Sequence, residues 1–166
     1  MKKFLIFLFM MTLPLMASAQ IRFGYFNYET VLKQMPDYLL AQRSVDDLRL
    51  KYESEMKRAE QDFNAKYEEF LEVQRDLVPS ILRKRQAELQ EMMDKNIEFK
   101  KDAQRLLKQA ETDAYVPVKK KLNEAVAKIA AEHGYAFVLN TDGDACPYVN
   151  PELGEDATEL IKAAIM

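Results

Sequence analysis

The chain has 166 residues, with 27 acidic and 24 basic side chains, one histidine and one cysteine. The acidic balance argues against a face that releases counterions from nucleic-acid phosphate, and a lone cysteine excludes an intrachain disulfide. One histidine and one cysteine, neither in a nucleophile motif, give no catalytic constellation.

In chain order, Met1-Lys2-Lys3 is followed by an apolar run from Phe4 to Leu15 and then by Ala17-Ser18-Ala19. A positive start, a short apolar centre and a small-x-small site predict a signal peptide over residues 1–19, cut between Ala19 and Gln20. Cleavage removes Lys2 and Lys3 and leaves 22 basic against 27 acidic groups, a net charge of −5. No later apolar run is long enough to cross a bilayer.

Ile21-Arg22-Phe23-Gly24-Tyr25-Phe26-Asn27 alternates large β-forming residues and predicts a strand with Ile21, Phe23 and Tyr25 on one side. Tyr28 to Met35 suits a short helix, which Pro36 ends while opening the next. From Asp37 to Leu77 there is neither proline nor glycine, and one very long helix is expected.

The spacing within that helix is informative. Ala41, Val45, Leu48 and Tyr52 step by 4, 3 and 4; Tyr52, Met56, Ala59 and Phe63 repeat the steps, as do Phe63, Tyr67, Phe70 and Gln74. An 11-residue repeat is 3.67 residues per turn, close to the 3.6 of a straight helix, so little supercoil is expected over on the order of 60 Å.

Val78-Pro79-Ser80 interrupts the pattern, and a second helix is predicted from Ile81 to Glu132, with Leu82, Leu89, Met93, Phe99, Ala103, Leu107, Ala110 and Ala114 near one face. Two helices of similar length joined by a short break pack antiparallel. Pro117 is expected to form an elbow, and His133-Gly134 to end the helix with a left-handed glycine cap.

Tyr135 to Asn140 reads as a strand, Thr141-Asp142-Gly143-Asp144 as a turn, and Cys146 to Val149 as the strand's hairpin partner. Pro151 to Gly154 is expected to be a loop, with a closing amphipathic helix over Asp156 to Ile165. Asp142-Gly143-Asp144 lacks the further oxygen ligands of a calcium loop, and no phosphate-binding glycine loop is present. No metal or cofactor is expected.

The predicted fold class is therefore mainly α. A long antiparallel helical hairpin over 37–116, with its tip near 78–80, projects from a small β-rich oligomerisation body formed by 20–36 and 117–166. Three short strands make a marginal sheet with open edges, and without disulfide or metal such a core calls for association. The hairpin also carries more large apolar side chains than one seam can bury, and exposed apolar surface marks interaction sites. Tyr52, Phe63, Tyr67, Phe70, Met92, Met93 and Phe99 are the candidate contacts. Arg75, Arg83, Lys84 and Arg85 form a basic tip, read either as a solvated end or as an anion contact.

Gly24-Tyr25-Phe26-Asn27, continuing to Val31-Leu32 and Met35-Pro36-Asp37, and then Gly134-Tyr135-Ala136-Phe137-Val138-Leu139-Asn140, bracket about 100 residues of charged helix behind the leader. Over essentially the whole mature length the chain resembles the Skp/OmpH periplasmic chaperones. The resemblance implies an OmpH-like homotrimer whose hairpins project like tentacles around a cavity for unfolded outer-membrane proteins. Ile21, Phe23, Tyr25, Phe137, Val138 and Leu139 would then assemble the trimer body.

Better-known members of that family are strongly basic, whereas residues 37–114 here carry 15 basic and 18 acidic side chains. That balance weighs against lipopolysaccharide or membrane contact. Two functions stand at this point: an ATP-independent, non-enzymatic holdase, and a coiled-coil spacer or adaptor linking envelope components.

Overall fold

The computed structural model describes residues 21–143 and 146–165. The cleavage point expected between Ala19 and Gln20 lies outside them. The described residues divide into two compact units, one taking residues 21–28 and Ala125 to Ala164, the other Glu29 to Glu124 with Ile165.

The first unit holds three short strands, β1 (Phe23–Phe26), β2 (Val138–Asn140) and β3 (Gly154–Asp156), in the order β2-β1-β3. Both pairings are parallel, Gly24 lying opposite Val138 and Glu155. The ladder extends beyond the strand ends, because Ala136 N–H donates to the Arg22 carbonyl at 2.8 Å and Ala157 N–H to that of Tyr25 at 2.9 Å.

This corrects the hairpin expected after Asn140. Residues 146–149 form no strand, and the third strand comes instead from Gly154–Asp156, in a stretch read as loop and helix start. Pro147 has no N–H for a ladder. Gly154 is needed because the Phe23 ring occupies the space where a β-carbon would stand. A glycine that sequence reading takes for a loop thus makes room for the neighbouring strand's aromatic side chain.

The closing helix of this unit, Thr158–Ile165, follows directly; Thr158 N–H donates to the Asp156 carboxylate at 2.9 Å, satisfying one donor of the first turn. Ile161 and Ile165 are buried, while Ala164 is exposed.

The second unit begins with the rest of the short helix α1 (Tyr28–Gln34) and contains the long helix α2 (Pro36–Val73) and most of α3 (Pro79–His133). Met35 precedes α2 in an extended conformation, φ −65° and ψ 133°, as a residue before proline must. Its buried side chain and Pro36 at the first helical position fix where α2 starts. α2 ends four residues earlier than the composition suggests, and α3 starts two earlier, because Pro79 itself opens the helix. α3 runs unbroken through Pro117, so the proline costs one backbone hydrogen bond without ending the helix. Gly134 follows with φ +67°, the expected left-handed cap. The closing helix, Thr158–Ile165, is α4.

The antiparallel register of the hairpin is set by contacts along its length. Lys121 Nζ meets the Asp37 carboxylate at 2.6 Å, Tyr38 stacks on Tyr115 at 5.0 Å, Tyr52 faces Phe99 at 6.2 Å, and Asn96 Nδ2 donates to the Ala59 carbonyl at 3.2 Å. The two partners in each pair converge on a tip at residues 74–78. Of the ten positions in the 4-3-4 repeat from Ala41 to Gln74, nine of them in α2, all but Tyr67 are buried or half-buried. On α3 the seam passes through Leu89, Met92, Asn96, Phe99, Ala103 and Leu107.

Candidate functional site

A helix can place only one stripe of side chains in a two-helix seam, so residues beside that stripe are left on the flanks. This sorting divides the seven candidate contacts. Phe70 is 9% exposed and belongs to the seam. Tyr52, Phe63, Met92 and Phe99 are half-buried along it, while Tyr67 is 45% and Met93 40% exposed. Tyr67 leaves the seam although it fits the repeat; its ring stacks on Phe63, with centroids 6.0 Å apart and planes 8° from parallel.

Two grooves result. One, of about 460 Å³, is lined by Met56, Phe63, Met93, Ile97 and Phe99, with charged side chains such as Lys100 at its edge. The other, of about 450 Å³, lies nearer the tip, where Phe70, Val73, Leu89 and Met92 form the apolar wall and Lys66 and Glu91 are among the charged side chains. Both volumes fall in the range that accepts a small ligand or a few side chains of a peptide.

Sequence reading missed several flanking residues. Ile97 is 47% exposed, and Leu71, Val73, Val78 and Ile81 are also exposed around the tip. Met93 and Ile97 are one helical turn apart, as are Tyr67 and Leu71. That i, i+4 spacing one step off the seam was the signal available. Met93, placed on the seam by sequence reading, lies on the flank, and its neighbour Met92 takes the seam position.

Elsewhere the hairpin surface carries ion pairs, together with exposed apolar side chains such as Leu40, Leu50 and Val116. Arg58 bridges Glu55 and Asp62, and its hydrogen bond holds the Glu55 carboxyl below the usual carboxylate range. Lys95 does the same to Glu91 at 2.6 Å. At the tip, Lys84 and Arg85 share Glu88 at 3.6 and 3.8 Å, while Arg75 and Arg83 are exposed. Such pairs contribute little stability in water.

In the sheet unit, Phe23 stacks on Phe137 at 5.3 Å, and Phe137 remains largely exposed, as do Ile21 and Leu153. Tyr25, Val138 and Leu139 are half-buried. Beneath them Tyr135 is buried, and burial, then a hydrogen bond to Glu155, pushes its hydroxyl up to about 12. Arg22 meets Glu155 at 3.2 Å, and His133 Nδ1 lies 3.7 Å from the same carboxylate. Cys146 is half-buried, its Sγ 3.7 Å from the Tyr148 carbonyl.

Among the described residues there is no cluster of three or more His, Cys, Asp or Glu side chains arranged to hold a metal. No helix among them is long and apolar enough to cross a membrane. The arrangement is one of apolar grooves with charged margins.

Comparison with known proteins agrees with this geometry. The model of the outer membrane protein (OmpH-like) family matches residues 22–165, which includes both units. No curated protein matches the chain.

Proposed function

The chain belongs to the Skp/OmpH family, and from that premise we propose that it is an ATP-independent holdase, binding unfolded outer-membrane proteins between hairpins and keeping them from aggregating. Family membership suggests a periplasmic chaperone of this type, and the family is in general not enzymatic. The observation that carries the finer reading is the row of exposed apolar side chains beside the seam, Tyr67, Leu71, Met93 and Ile97, flanked by ion-paired surface. Many weak contacts of this kind favour the unfolded monomer over its aggregate by mass action.

Trimerisation belongs to the same proposal. Its support is the three-stranded sheet, both of whose edges are open among the described residues, and the exposed Ile21 and Phe137. Export and removal of residues 1–19 complete it. The basic tip at Arg75, Arg83, Lys84 and Arg85 is proposed as a solvated end, two of its cations already sharing Glu88.

Dilution of a urea-unfolded outer-membrane barrel into buffer with the purified chain tests the reading. The barrel stays soluble at stoichiometric chain, and aggregation at the rate of the chain-free control would sink the proposal. A second reading, a structural spacer, draws on the continuity of the seam. Crosslinking from Tyr67 separates the two: many unrelated unfolded proteins indicate a holdase, one stoichiometric folded partner a spacer.

A further inference from the structure

Four methionines lie among the described residues, and the structure sorts them sharply. Met35 is 1% exposed. The other three line the hairpin grooves: Met56 and Met93 the one farther from the tip, from facing helices, and Met92 the one nearer it. Methionine fits an apolar surface that must accept varied shapes, because its side chain is unbranched and its sulfur polarisable. It is also the apolar side chain that mild oxidants convert into a polar one.

We infer that Met56 and Met93 form an oxidation site, at which a peroxide or hypohalous acid turns the groove polar and releases its occupant. With hydrogen peroxide the thioether sulfur donates an electron pair to one peroxide oxygen as the O–O bond breaks. Sulfur is oxidised by two electrons, the peroxide is reduced, and the products are methionine sulfoxide and water. A sulfoxide oxygen in a groove walled by Phe63, Ile97 and Phe99 keeps its water only if the apolar occupant leaves. The site lies in the proposed client-binding groove and so rests on that reading for its effect, though not for its chemistry.

The test treats the intact chain with dilute hydrogen peroxide and follows each methionine by peptide mass. Met93, the most exposed, is expected to gain oxygen about tenfold faster than Met35, with Met56 in between. Equal rates at Met93 and Met35 would overturn the site. The oxidised chain is then offered a urea-diluted outer-membrane barrel, with an expected loss of holding capacity of about tenfold; unchanged capacity overturns the release. In a Met56→Leu/Met93→Leu chain, peroxide-treated and untreated samples are expected to hold the barrel equally, whatever the level; a peroxide-dependent loss as large as that of the wild type overturns the site. Methionine sulfoxide reductases with dithiothreitol restore the wild type, each sulfoxide returning to thioether as two thiols become a disulfide. Restoration by dithiothreitol alone assigns the effect to Cys146 and overturns the proposal. If the untreated chain holds no barrel, the chaperone reading fails, while the order of oxidation still decides the site.

Discussion

The ring of Tyr135 lies 2.9 Å from the point where a β-carbon on Gly24 would stand, so the central strand carries a glycine because the ring fills its side-chain space. Gly24→Ala is expected to lower stability by about 1–3 kcal/mol through overpacking. Urea unfolding measures it. In a Gly24→Ala/Tyr135→Leu chain the two costs are expected to be less than additive, because the smaller side chain relieves the clash; strict additivity would show that the contact does not matter.

Tyr135 also sets an alkaline limit. Its folded-state value is about 12, against about 10 unfolded, so the neutral hydroxyl is favoured by folding. That contribution is complete below pH 10 and is lost as pH rises from 10 towards 12. Tyr135→Phe is expected to flatten the fall in stability over that window, measured by denaturant midpoints at successive pH values. An unchanged slope would count against the buried hydroxyl.

Neighbouring residues on α3 are expected to differ greatly in weight. Lys121 makes a 2.6 Å ion pair with Asp37, but both side chains are about half exposed, so Asp37→Asn should cost under about 1 kcal/mol. Leu122 makes no such contact and is completely buried. Leu122→Ala should cost about 2–5 kcal/mol. Thermal unfolding of the two variants checks the order, which is the reverse of what the short contact suggests.

Client holding and stability should separate along the hairpin. Met93→Ser/Ile97→Ser is expected to leave the unfolding midpoint within about 0.5 kcal/mol of wild type per site and still to weaken suppression of barrel aggregation. Phe70→Ala, in the seam, should cost about 3–5 kcal/mol. Circular dichroism beside the aggregation assay distinguishes a lost contact from a lost fold.

The hairpin was legible in the sequence because a helix records its buried face as a period, and Ala41 to Gln74 keep that period for three repeats. The same periodicity was too coarse to separate Met92 from Met93, which differ by only 100° around the helix. It also gave no reason for Tyr67 to leave the seam, since its stacking on Phe63 one turn away depends on side-chain geometry that spacing does not record. β3 was illegible for a different reason. Gly154-Glu155-Asp156 has almost no strand propensity, and it becomes a strand through its neighbour: Phe23 takes the space beside Gly154, and Arg22 meets Glu155. The flanking residues Ile97 and Leu71 could be picked out by their i, i+4 spacing only once the seam's phase was known.

The parallel pairing of Gly24 with Val138 and Glu155 has a kinetic consequence. The central strand is made first, and both of its neighbours are made last. Each pairing must close a loop of more than a hundred residues, whereas the hairpin can zip outward from its tip through local contacts. The chain therefore spends its early life as a formed hairpin with an unpaired β1, and Phe23 and Tyr25 find their places only when the final residues arrive.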